Sequence, residues 1–210
     1  MSHENNKSIV LDLFDNHIIK YIIKDLEILD LIKADDFGVG GCAIPQATST
    51  FSAIDLIGYL IHTEDRRTLQ MSFTELLKNE RYFPDFKDYS TYSEFFDSFR
   101  DDFRSVMVHR FSLTKYDIAK IETSTLFIVE QGKTIFNVSY FTKMTIEAIK
   151  KIYQEIKDDT FIINGYSEEV SMEKIKNKVV ELKNYNSTNF RLLENLPTST
   201  TSTETTSSLG

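Results

Sequence analysis

Between Lys7 and Lys33 the chain reads KSIVLDLFDNHIIKYIIKDLEILDLIK. Its apolar residues, Val10, Leu13, Phe14, Ile18, Tyr21, Ile22, Leu29 and Ile32, recur close to the 3.6-residue period of an α-helix. The spacing predicts a long first helix buried on a wide face. A face that wide needs other helices to cover it, so the reading points to a mainly α fold.

The flanking sequence supplies those helices. Residues 35–46 (DDFGVGGCAIPQ) form a glycine-rich connection, after which Thr48 or Ser49 is placed to cap a second helix over residues 50–62, with Gly58 allowing a neighbour to approach closely. Charges and aromatics around Pro84 in residues 63–90 read as a short helix, Ser72 to Asn79, and a loop. Another helix is expected from about Ser90 to Phe111. The period then changes. Thr125–Glu130 and Thr134–Tyr140 are rich in β-branched and aromatic residues and flank Gln131-Gly132-Lys133, which reads as an antiparallel hairpin. Residues 142–158 return to helical spacing, with Ile146, Ile149, Ile152, Tyr153 and Ile156 on one side. The run TFIIN is short enough to pair or to pack, and a final helix is expected from Ser171 to Tyr185. Residues 1–186 therefore read as one domain. Residues 187–210, ending in PTSTTSTETTSSLG, read as a disordered Ser/Thr-rich tail with little to bury.

One stretch carries the types of residue that chemistry needs. Phe99 to Phe111 reads FRDDFRSVMVHRF. On a helix, Phe96, Phe99, Phe103, Val106 and Met107 share a core-facing side, with Arg104 at one margin and His109 at the other. Asp101, Ser105 and Val108 fall on the outward face between them. An outward Val beside an Arg and a His suggests a partner surface.

An Arg and a His separated by four residues on a late helix, after acidic and aromatic residues, resembles the HEPN superfamily, whose pattern is Arg, four to six residues, His. The helix around Pro45 to Ile61 and the hairpin followed by a helix (TLFIVEQGKTIFNVSYFTKMTIEAIKKIYQEI) look like one prokaryotic branch of such proteins, over roughly residues 5–160. The resemblance implies a HEPN-like helical bundle with a small antiparallel β-hairpin. It also implies a homodimer with a composite cleft, in which Val108 and Asp101 lie at the dimer interface. The implied activity is metal-independent cleavage of RNA, in stress response or phage defence. The residue after the Arg is usually Asn, Asp or His in active members, and here it is Ser105, a departure that bears on catalysis more than on fold.

The chemistry suits these side chains. Cleaving RNA without metal requires a base for the 2′-hydroxyl proton, an acid for the leaving oxygen and a cation for the phosphorane charge. His109 titrates near neutrality and can serve as base or acid. Arg104 offers a permanent cation with forked donors. Ser105, four residues before His109, is placed for its hydroxyl to hold one imidazole nitrogen. Each protomer supplies one His, and a dimer supplies two. Two other readings stay open: a catalytically inactive HEPN-like module that binds a protein or nucleotide partner, as an antitoxin does, and a structural pair in which Arg104 covers aromatic rings and His109 bonds a backbone carbonyl.

The remaining candidates have plain structural readings. The Gly38–Gly41 loop follows a helix and lacks a Gly-Lys-Ser/Thr sequence, so it reads as a turn rather than a phosphate cradle. Cys42, the single cysteine, excludes an internal disulfide and reads as a small buried residue beside glycines. His3 lies near the terminus, His17 has polar neighbours, and His62 ends the second helix, where a cation is favourable. Asp101 and Asp102 diverge by about 100° on a helix and do not share a proton. No His pairs with another His or a carboxylate at metal-ligand spacing, so neither metal nor cofactor is expected. A net charge of −8 and a pI near 5.1 argue against a broad nucleic-acid footprint and leave room only for local RNA contact. The longest apolar run, Phe51 to Ile61, is too short to span a bilayer, and MSHENNKS has no apolar signal core, so a cytoplasmic protein without a membrane partner is expected.

Overall fold

A computed structural model describes residues 3–35, 40–62, 69–89, 117–163 and 165–194. It is mainly helical, with a small three-stranded sheet. The first helix is continuous but changes gauge: α1 (His3–Leu13) runs into a π-helical segment (Phe14–Ile23) and then into α2 (Lys24–Leu31). The buried residues explain the change. Val10, Phe14, Ile18 and Ile23 are all at most 1% exposed. Their spacings are four, four and five, so three turns take about 4.3 residues each, the gauge of i→i+5 hydrogen bonding rather than of an α-helix. Tyr21 and Ile32, expected on the buried face from an α period, are instead exposed, at 55% and 39%.

The second helix, α3 (Ala43–Ile61), is the centre of the fold and touches α2, α4 (Leu69–Leu77), α5 (Val138–Lys157) and α6 (Glu168–Glu194). It starts well before the expected residue 50. Its N-cap is Cys42, in the left-handed region at φ 60° and with no side-chain cap bond, rather than Thr48 or Ser49. Pro45 is tolerated because the first-turn N–H groups have no partner within the helix. Gly41 makes the turn possible: at φ 53°, a Cβ there would lie 2.6 Å from the Ala34 nitrogen. Cys42 is exposed, which corrects its expected burial. The left-handed turn points it outward rather than into the packing below.

A 3₁₀ turn (Pro84–Tyr89) follows α4. The sheet comprises β1 (Asp117–Ala119), β2 (Phe127–Glu130) and β3 (Lys133–Asn137), in the order β1-β3-β2. The expected hairpin is β2–β3, closed by Gln131 and Gly132 at φ 50° and 79°, as a type I′ turn requires. The sheet is not wholly antiparallel, however. β1 pairs with β3 in parallel, with Asp117 opposite Ile135. β3 gives way to α5 at Val138, so Tyr140 is helical. Phe161 and Ile163 of the TFIIN run are buried by packing and form no strand. α6 continues to Glu194, past Tyr185 and into the residues read as tail, while 195–210 lie outside the described residues.

Aromatic rings join the layers. Phe51 of α3 stands 5.6 Å from Phe73 of α4, 6.2 Å from Phe136 of β3 and 5.3 Å from Phe141 of α5. Phe86 of the 3₁₀ turn meets Phe141 edge-on. The Ile146, Ile149, Ile152 and Ile156 stripe of α5 is buried as its spacing predicts, with Tyr153 partly buried beside it. Among the described residues no helix is long and apolar enough to cross a membrane.

Candidate functional site

The sequence places its candidate catalytic residues, Arg104, Ser105 and His109, and its interface residues, Val108 and Asp101, within 90–116. All five lie outside the described residues. The structure does describe both ends of that stretch. Before it, Tyr140 in the first turn of α5 donates its phenol proton to Asp85 of the 3₁₀ turn. After it, β1 pairs with β3 just ahead of the α5 N-terminus, Ala119 opposite Asn137. The chain therefore leaves and returns near one end of α5. The Asp85 hydrogen bond and partial burial push the Tyr140 phenol up to about 12.

Asn137 anchors that end. It is wholly buried and caps α5, its side-chain oxygen accepting from the Tyr140 and Ile121 N–H groups. Its amide donates to the carbonyls of Ile121, Thr123 and Thr125. One amide thus shapes the 121–125 loop and starts the helix.

A second polar centre lies where α2, α3 and α5 meet. Asp30 accepts from Gln46 Nε2 at 2.9 Å and from Ser139 Oγ, and Lys143 Nζ stands 3.8 Å from its other oxygen. Gln46 also donates to Thr142, which shares a hydrogen bond with Thr50 at 2.8 Å. Gln46, Thr50 and Thr142 are fully buried, so each needs such a partner. Lys120, just after β1, closes the centre: its ammonium donates to the carbonyls of Leu29, Asp30, Ile32 and Gly41. These include the last carbonyls of α2, where helix geometry leaves acceptors unpaired and the dipole favours a cation. Burial lowers the Lys120 pKa, and the Asp30 carboxylate opposes that shift.

At the far end of α5, Glu155 is buried and accepts from Arg81 at 2.8 Å and from the Tyr82 phenol at 2.8 Å. Burial first, and then the carboxylate, raises the Tyr82 pKa.

The sequence reading missed these polar centres. Gln46, Thr50 and Thr142 were legible only as polar residues on otherwise apolar helix faces. Among the described residues no group of three or more His, Cys, Asp or Glu could hold a metal ion. The centres at Asp30, Asn137 and Glu155 are hydrogen-bond networks that hold elements together, the Gln46 Oε1 of the first being buried without a hydrogen-bond partner among the described residues, and none pairs a nucleophile with a base. Comparison with family models, curated proteins and solved structures finds no match.

Proposed function

We propose that this chain is a metal-independent endoribonuclease of HEPN type, acting as a homodimer in the cytoplasm in stress response or phage defence. The observation that carries the reading is the Arg104-x4-His109 spacing in an aromatic-rich amphipathic stretch. The mainly helical architecture is compatible with it. In this reading His109 exchanges the protons and Arg104 stabilises the phosphorane charge, which is largest in the transition state. Ser105 orients the imidazole. Two protomers meet across Val108 and Asp101 and place one His from each at a shared cleft. No resident cofactor takes part.

The test is purified protein with total RNA in EDTA. Wild-type protein should cleave, and His109→Ala and Arg104→Ala should abolish cleavage while leaving folding nearly intact. Val108→Glu should give a folded, inactive monomer, because it sets like charges across the two-fold. Activity that survives His109→Ala removes the mechanism.

The net charge of −8 and Ser105 after the Arg favour a second reading, a catalytically inactive module that binds a protein or nucleotide partner as antitoxins do. A clean wild-type dimer with no cleavage would select it.

A further inference from the structure

The first helix carries two apolar ridges that share Phe14 and Ile18 and diverge beyond Ile18, and the π segment decides which one is buried there. The ridge in use is Val10, Phe14, Ile18, Ile23 and Leu26, all at most 1% exposed. The other is Phe14, Ile18, Tyr21, Asp25, Ile28 and Ile32, spaced four, three, four, three and four residues apart, which is the stripe of an unbroken α-helix. Beyond Ile18 that ridge faces outward: Tyr21, Ile28 and Ile32 are 55%, 57% and 39% exposed. Asp25 is its one charged member.

The geometry connects the two. A π-helix has roughly 4.4 residues per turn, or about 82° per residue, against about 100° in an α-helix. Over the ten residues Phe14–Ile23 the difference accumulates to about 180°, half a turn. Around α2, buried Leu26 and exposed Ile28 are two residues and so about 200° apart, close to half a turn.

We propose that this helix is a two-register switch: the π register described above, and an all-α register in which α2 turns half a turn and carries Tyr21, Ile28 and Ile32 inward. Two features hold the π register. Asp25 interrupts the alternative ridge, and Asp30 is latched to Gln46 and Ser139 while Lys120 grips the last carbonyls of α2. Turning α2 breaks that latch and frees Lys120, the residue that follows β1. The switch therefore couples the first helix to the sheet and to the end of α5. This inference does not depend on the ribonuclease reading.

The test uses the full chain with Cys42→Ser and a nitroxide label on Ile28→Cys, read by electron paramagnetic resonance. The label is expected to be mobile in this background. Asp25→Leu completes the α ridge and should convert most of the label to an immobilised form, at unchanged oligomeric mass and helicity. Asp30→Ala releases the latch without adding apolar surface. It should shift the label the same way, and it keeps the test decisive if Asp25→Leu does not fold. The control deletes the exposed Lys20 and Tyr21. Ten π residues turn through the same angle as about eight α residues, so the shortened helix buries the first ridge in α geometry and has no second register. In that chain the label should stay mobile even with Asp25→Leu. A label that remains mobile in folded Asp25→Leu and Asp30→Ala overturns the proposal. So does immobilisation that persists in the deletion chain.

Discussion

Asn137→Ala is the most informative single perturbation of the described structure. The side chain caps α5, and losing an N-cap costs about 1 kcal/mol. Its amide also makes bonds of 3.0 and 3.1 Å to the carbonyls of Ile121 and Thr125, each contributing about 1 kcal/mol net. The contacts to Tyr140 N, Ile121 N and Thr123 O, at 3.2–3.4 Å, are longer and add less. The loss should therefore be about 3 kcal/mol. For a domain of this size that lowers the melting temperature by about 6–12 °C. Urea unfolding followed by circular dichroism measures it directly, with an unchanged m-value showing that the native state is otherwise intact. Asn137→Asp keeps both acceptors but turns a carboxylate toward the loop carbonyls, so it should be no more stable than the Ala variant. A loss below about 1 kcal/mol, or an Asp variant as stable as wild type, would show that Asn137 does not organise this loop.

Phe51→Ala empties the centre of the aromatic cluster and should cost about 3–5 kcal/mol in the same urea assay. Lys120→Met leaves the last α2 carbonyls without their ammonium and should destabilise by about 1–3 kcal/mol, with hydrogen exchange quickening first at the end of α2. The Tyr59, Tyr140 and Tyr153 phenols are pushed up from 10.0 to about 12, Tyr59 chiefly by burial and the other two chiefly by their hydrogen bonds to carboxylates. A raised folded-state value means these groups contribute fully below about pH 10, and the contribution is lost as pH rises through about 12. Tyrosinate absorbance should therefore show a late-titrating group of phenols, and stability should fall across that window. Cutting the chain after Asn195 should leave the melting temperature unchanged, since PTSTTSTETTSSLG offers almost no apolar surface to offset the entropy of ordering it.

Where burial on one face selects the residues, the fold was legible. The α5 stripe and the β2–β3 hairpin follow from periodicity and from a Gly placed where positive φ is required. What failed to read were positions set by tertiary contact. The α3 start was missed because good capping residues at Thr48 and Ser49 sit inside the helix, while the true cap, Cys42, is held by the left-handed turn at Gly40 and Gly41. β1 is three residues long and exists because β3 offers it a free edge, so no local pattern announces it. Of the candidate site, only the spacing of Arg104 and His109 was legible. Which surface they share depends on packing that spacing does not specify.

The first helix is the instructive failure, because its sequence supports two answers. Read at 3.6 residues per turn, Tyr21 and Ile32 belong inside, and Ile23 and Leu26 fall away from the stripe. The structure reverses this, with Ile23 and Leu26 at 1% exposure. Local preference does not separate the two registers, since both put aliphatic residues inward. The choice rests on two carboxylates on opposite sides of α2: an all-α register would bury Asp25, which is exposed here, and would pull Asp30 off Gln46 and Ser139. An unpaired buried carboxylate costs several kcal/mol, which is enough to support a segment of π-helix with poorer hydrogen bonding. A pattern that scores only apolar residues cannot see this. The gauge of the helix is set by where its charges find partners, and those partners come from α3 and α5, more than a hundred residues away in the case of Ser139.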